Sequence, residues 1–428
     1  MAMAHCTSLA EPYDGRLSRR LITFVATGIV FMLLPGTLLG VVNLLTISAR
    51  RAPAAADAAW IQAHGHAQIF GWLGTFILGI GSYAIPRLRL SRDPGWIAWA
   101  TWALWTAGVA LRWAGGITEW HWRTLFPLGA ALELFAATAF FASVFLPRPR
   151  APQRTWRSSL LMIEAAAAGM VVTLGVNLAE SLTLARSAAS PVFPAAFNQR
   201  FLAAAAWGFI VPFIWGFGTR WIPPLLGLRK AHNPILLPAL LLLMAGAALD
   251  APIVIAVACV VFVIALRIFE PAQKAPKLRG VHPSAGAFLR SAFAWMILAA
   301  ALGIVAVSAG AGFAGASRHA LTVGFMVVTV FCIGSRMLPA FFGVRRLFSN
   351  RLMFTSLLLI SAGCALRVGS EVVAYGHLSQ AAWSVLPLSA ILEMTAIVLF
   401  AFNMLMSLTT GTPYDTYLES LAWGKAVR

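Results

Sequence analysis

Twelve long apolar runs constrain the fold of this chain more than any other feature. A helix needs roughly 20 apolar residues to cross the hydrocarbon core of a bilayer. The predicted spans lie near residues 21–47, 60–86, 95–117, 124–146, 158–184, 196–219, 234–249, 251–268, 288–312, 318–341, 352–375 and 380–409. Only Asp250-Ala251-Pro252 separates the seventh run from the eighth, which predicts either a tight hairpin or one broken helix. We predict an all-α integral membrane protein of about twelve transmembrane helices, with residues 1–428 in a single transmembrane domain.

The distribution of charge predicts how the chain is oriented in the membrane. Charged residues make up 11% of the sequence and the net charge is +18, whereas a soluble protein carries roughly a quarter charged residues. Lysine and arginine are concentrated in every second segment between the runs, beginning with the N-terminal one. The positive-inside rule therefore predicts a multi-pass protein of the bacterial inner membrane with both termini in the cytoplasm. It also makes the lipid bilayer, and not nucleic acid, the expected partner of the basic residues.

A repeated motif divides the runs into three groups. The motif begins at a histidine, has Gly-Ser fifteen residues later and a proline five residues further on; it starts at His66 and again at His319. The match continues downstream, since Arg112 recurs as Arg367, His121 as His377 and Glu133 as Glu393. A weaker copy without histidine is Gly218-Thr219-Arg220-Trp221-Ile222-Pro223.

The spacing of the three copies predicts how the helices are grouped. The copies lie four spans apart and therefore run in the same direction, whereas an inverted-repeat transporter needs an odd spacing. We predict three four-helix units, near residues 21–146, 158–268 and 288–409, in a pseudo-threefold arrangement.

The histidines are the strongest candidates for metal binding. His64, His66, His121, His319 and His377 all fall at the predicted outer ends of spans. Imidazole suits haem iron and copper. Residues two apart on a helix point about 200° apart, so His64 and His66 can serve two sites on opposite faces. The recurrence of His66 and His319 predicts that these two are axial ligands of one haem. The alternative is that the histidines cap helices or bond the backbone.

The remaining candidates surround this predicted site. His64, His121 and His377 are candidates for a second metal or haem, although His121, between Trp120 and Trp122, also fits an interfacial aromatic belt. Glu133 and Glu393 lie deep in their spans and are proton-relay candidates. Arg112 and Arg367 could hold haem propionates through bidentate hydrogen bonds. Both arginines and both glutamates could instead form structural ion pairs.

Three segments resemble the signatures of the NnrS family. These are His64-Gly65-His66-Ala67-Gln68-Ile69-Phe70-Gly71, Gly218-Thr219-Arg220-Trp221-Ile222-Pro223 and His319-Ala320-Leu321-Thr322-Val323-Gly324. The resemblance implies a multispanning bacterial membrane protein of nitric oxide metabolism that binds haem b and, in addition, copper. The absence of a CxxCH sequence agrees with non-covalent haem. The threefold arrangement also resembles subunit I of haem-copper oxidases. However, the chain lacks that subunit's tandem histidines on span seven and its histidine–tyrosine pattern on span six.

Three functional hypotheses follow. The first is a redox-active, NO-handling protein with bis-histidine haem b at the outer face, which would take nitric oxide or another small diatomic ligand and need an electron donor. The second is a non-catalytic metal-binding or metal-trafficking protein. The third is a cofactor-free solute transporter.

Overall fold

The computed structural model describes residues 15–89, 95–147, 157–278, 280–341, 344 and 346–410. These residues form helices and short connections, without a β-strand among them. The main helices, numbered in chain order, are α1 (Ser18–Arg50), α2 (Ala58–Arg89), α3 (Trp96–Thr118), α4 (Trp122–Phe145), α5 (Ser158–Ser187), α6 (Ala195–Leu226), α7 (Asn233–Ala248), α8 (Pro252–Leu266), α9 (Ala285–Ala309), α10 (Gly312–Phe341), α11 (Asn350–Tyr375) and α12 (Ala382–Thr409). Their bounds agree closely with the predicted spans.

Within the described ranges, nine helices are long and apolar enough to cross a membrane. The other three are α3, which is 23 residues long and rich in tryptophan, and the shorter helices α7 and α8, with 16 and 15 residues. A multi-pass membrane protein is thus confirmed, while twelve crossings stay a prediction. The structure decides the alternative left open at Asp250. Here α7 and α8 are separate helices packed along each other, joined by a turn in which Asp250 has φ +52°.

Consecutive helices pack side by side, and α12 returns to pack against α1. Three helices are far more buried than the rest: the most apolar windows of α2, α6 and α10 are 89%, 78% and 61% buried. The corresponding windows of the other six candidate spans are 28–44% buried. The three helices that carry the repeated motif therefore form the interior, and the others surround them. The grouping into three units about an axis stays a prediction.

The motif helices share a local irregularity. Each contains a π-helical segment, Ala67–Gly74 in α2, Ala206–Ile210 in α6 and Ala320–Val327 in α10. In α2 and α10 this segment begins directly after the motif histidine. A π-helical turn interrupts the regular ladder of helix hydrogen bonds and is frequent at functional sites. A fourth such segment, Met32–Leu38, lies in α1.

Candidate functional site

His64 lies on α2 against the π-helical segment of α1. Its Nδ1 is 2.8 Å from the main-chain oxygen of Gly36. Because a carbonyl oxygen only accepts hydrogen bonds, Nδ1 must be the donor, and the lone pair of the neutral ring is then on Nε2. Gly40, one turn further along α1, makes room for the ring, since a Cβ there would be 2.6 Å from Cε1 of His64.

His319 also donates from Nδ1, and one of its two acceptors is a carboxylate. Its Nδ1 is 3.0 Å from the Gly315 oxygen and 2.9 Å from Oε2 of Glu371 on α11. Both partners accept, so Nδ1 donates and Nε2 holds the lone pair. The side chain of Glu371 is 4% exposed, and Arg367 places its Nε 3.4 Å from the same carboxylate oxygen. A Cβ at Gly315 would collide with Glu371, so glycine is required for this close approach.

His66 engages a carboxylate through the opposite ring nitrogen. Its Nε2 is 2.8 Å from Oε1 of Glu133 on α4, and both side chains are buried. Its Nδ1 and the second carboxylate oxygen of Glu133 are buried without a hydrogen-bond partner. The ring packs against Phe70 at a centroid distance of 4.8 Å. His66 thus donates from Nε2 and leaves its lone pair on Nδ1.

Arg112 completes the cluster around His66. Its guanidinium lies between the rings of Phe126 and Phe193, at 4.3 and 4.4 Å from their centroids. The residue is 4% exposed, and its Nε and one terminal nitrogen have no hydrogen-bond partner. Glu133 provides the nearest opposite charge. Cation–π contacts and this carboxylate together stabilise a buried guanidinium.

The three histidines separate into two neighbourhoods. His64 interacts electrostatically with His319 and Arg367, across the boundary between α2 and α10. The charged neighbours of His66 are instead Glu133 and Arg112. In the described part of the chain, no hydrogen bond, ion pair or ring contact joins His319 to His64 or to His66. His64 and His66 bond partners on different helices, α1 and α4, as the 200° angle between residues two apart on a helix predicts.

The two repeated glutamates have equivalent positions and different partners. Each packs its Cγ against a glycine one turn before the repeated arginine, Glu133 against Gly108 and Glu393 against Gly363. Glu133 bonds His66, whereas the Oε1 of Glu393 is buried with no hydrogen-bond partner. In the last copy of the repeat, Glu371 is the carboxylate that bonds the motif histidine. The two copies therefore share the packing of glutamate against glycine, but they differ in which glutamate bonds the histidine.

The other two candidate histidines lie apart from these neighbourhoods. His121 and His377 occupy the turns between α3 and α4 and between α11 and α12, both exposed and both with positive φ, +44° and +56°. His121 packs against Trp120. Over the described ranges, no group of three or more His, Cys, Asp or Glu side chains has the geometry of a metal site. A ligand role for His121 and His377 stays a prediction without structural support.

Sequence reasoning missed Glu371. A signal was present, because Glu371 is an acidic residue inside an apolar run, four residues after Arg367 and hence on the same helix face. The repeat concealed it, because the residue aligned with Glu371 in the first unit is Gly116.

The described residues fit a haem of the b type in their donor chemistry. Three imidazoles each have one nitrogen fixed by an acceptor and the other available as a ligand, which is the arrangement of metal-binding histidines. Arg367 lies beside His319 and is half-buried, so it can meet a carboxylate. These imidazoles have the free nitrogen that a metal ligand needs, and a charged group lies beside His319 and beside His66.

A family model described as NnrS protein matches residues 22–410, nearly the whole chain. No curated protein matches it.

Proposed function

This chain belongs to the NnrS family, and on that premise we propose that it binds haem b in the bacterial inner membrane and acts in nitric oxide or nitrosative-stress physiology. The family connects the chain to nitric oxide; the histidines support the haem. We place the haem at the end of the bundle that carries His64 and His319, the end predicted to face outward.

One observation carries the proposal. Every histidine within α2 and α10 has one ring nitrogen bonded to a carbonyl or carboxylate oxygen and a lone pair on the other nitrogen. A neutral imidazole that donates to an acceptor keeps the lone pair on its other nitrogen, so the recurrence of this arrangement in both motif helices supports a role as ligands. A metal ligand requires this arrangement, because the second bond fixes the tautomer and the orientation of the ring.

We infer that His64 and His319 would hold the haem. Both bond an acceptor through Nδ1 and keep Nε2 free, whereas His66 bonds Glu133 through Nε2 and its Nδ1 is buried. When bound, haem would supply one-electron redox chemistry and a binding site for nitric oxide or another diatomic ligand. His64 and His319 would provide its ligands, each oriented by the hydrogen bond of its Nδ1.

The charged side chains divide between the two neighbourhoods. Arg367 is the candidate for a haem propionate, and Arg112 could reach a second carboxylate only if its aromatic contacts rearrange. Glu393, with an unpartnered buried oxygen, is the better proton-relay candidate, because Glu133 is engaged by His66. Among the described residues, too few potential ligands lie around His66 to bind copper. The proposal that the protein binds copper is therefore based on the family resemblance alone.

The spectrum of the purified protein tests the proposal. We expect the low-spin bands of bis-histidine haem b. His64→Ala and His319→Ala should each abolish the same low-spin component, because both remove a ligand of one iron. His66→Ala is the matched control, two residues from His64 on the same helix, and should retain that component.

Other outcomes distinguish the alternatives. Protein that stays colourless when haem is supplied would refute haem binding and favour the solute transporter. Coloured protein that does not react with nitric oxide or change redox state would favour metal binding or trafficking. Loss of the component in His66→Ala and His319→Ala, with His64→Ala unaffected, would restore the pair predicted from the repeat.

A further inference from the structure

We propose that Glu371 is a positioning residue that lowers the redox potential of the haem through His319. The inference rests on the proposed function, since it assumes that His319 is an axial ligand. It concerns a residue outside the repeated motif and makes the two axial positions chemically unequal.

The geometry around Glu371 is specific. Its Oε2 accepts from Nδ1 of His319 at 2.9 Å, while Arg367, one helical turn earlier, approaches the same oxygen at 3.4 Å. Gly315 is required to let the carboxylate reach this position. Glu371 is 3% exposed, so water screens its charge little.

A carboxylate hydrogen-bonded to a ligand histidine makes the imidazole a stronger electron donor. Its negative charge also favours the ferric over the ferrous form, because the ferric iron carries one more positive charge. Both effects lower the potential. Arg367 opposes them in part, because its positive charge lies beside the same carboxylate.

The opposite ligand lacks this feature. His64 donates to the main-chain oxygen of Gly36, which is neutral. Glu133 bonds only His66, in the other neighbourhood. Of the two histidines that would hold the haem, His319 thus bonds a charged acceptor and His64 a neutral one.

Redox titration of the haem-loaded protein tests the role of Glu371. Glu371→Gln keeps an acceptor for His319 but removes the charge. We expect the midpoint potential to rise by at least about 59 mV. For a one-electron couple, this is a tenfold change in the ratio of oxidised to reduced haem at a fixed potential. Glu133→Gln, the same change at another buried histidine-bound carboxylate, should leave the potential close to that of the wild type.

A second variant keeps the test decisive if Glu371→Gln does not fold. Gly315→Ala leaves the charge of Glu371 in place but displaces its carboxylate from His319, and it should raise the potential as well. An unchanged potential in both Glu371→Gln and Gly315→Ala, or an equal rise in Glu133→Gln, would overturn the proposal. Absence of haem from the wild-type protein would instead refute the proposed function, so the two failures are distinguishable.

Discussion

Gly40 on α1 lies directly against the ring of His64, a contact that no sequence pattern announces. A Cβ at this position would be 2.6 Å from Cε1 and 2.9 Å from Nδ1 of the ring. Contacts this short do not occur with real Cβ atoms, so the ring would have to move away from Gly36. The glycine therefore sets where His64 can lie, and hence where its free Nε2 points.

Gly40→Ala should weaken haem binding, because the added methyl group displaces the ring of His64. We expect a loss of about 1–3 kcal/mol from the broken Nδ1 hydrogen bond, which corresponds to a fall in affinity of roughly 5-fold to 150-fold. Haem titration of the purified apoprotein measures it. Gly175→Ala on α5 is the control, because nothing lies within 4 Å of a Cβ there. Equal affinity in the two variants would contradict the role of Gly40.

Among the helices, the π-helical segment of α2 is stabilised by its neighbour α3. The indole Nε1 of Trp105 donates to the Phe70 oxygen at 3.2 Å and to Thr75 Oγ1 at 3.1 Å. Trp105 is fully buried, and Gly74 gives its ring the space it needs. The Phe70 oxygen also accepts from the main-chain N–H of Thr75 at the end of the π-helical segment, so the indole is a second donor to this buried oxygen.

Trp105→Phe should therefore destabilise the bundle. The Phe70 oxygen would keep the Thr75 N–H and lose the indole donor, and one such hydrogen bond contributes about 0.5–1.5 kcal/mol. Unfolding in a denaturing detergent gives the change in free energy. Trp102→Phe is the matched control on the same helix, because Trp102 is only half-buried and donates to the Thr27 hydroxyl instead. A loss no larger than in Trp102→Phe would show that the carbonyl needs no indole.

For the whole molecule, the predicted topology remains to be measured. Labelling of single cysteines with a membrane-impermeant thiol reagent is suitable, because Cys259, Cys332 and Cys364 are buried. In a Cys6→Ser background, we expect Leu378→Cys to react in intact spheroplasts and Lys274→Cys only after permeabilisation. Both positions are exposed, and they lie in loops on predicted opposite sides. The reverse pattern would invert the topology and move the histidines to the cytoplasmic side.

The helix bounds and the identity of the interior helices could be predicted from the sequence alone. Apolar runs mark helices because backbone groups in lipid must bond within one segment, and the predicted bounds agree with those observed to within a few residues for most helices. The repeat beginning at His66 and His319 identifies two of the three interior helices, and its weaker copy at Gly218 identifies the third. The depth of Glu133 follows from its distance along the run. These are local properties of a chain in a membrane.

Only the tertiary structure decides which side chains meet. The sequence pairs His66 with His319 by symmetry, a pairing that stays a prediction, whereas only packing shows that His66 lies against Glu133 and Arg112. Such contacts depend on helix rotation, which π-helical segments change by amounts that residue spacing does not reveal. Glu371 was overlooked for the same reason, since its role arises from the approach of α10 to α11 at Gly315.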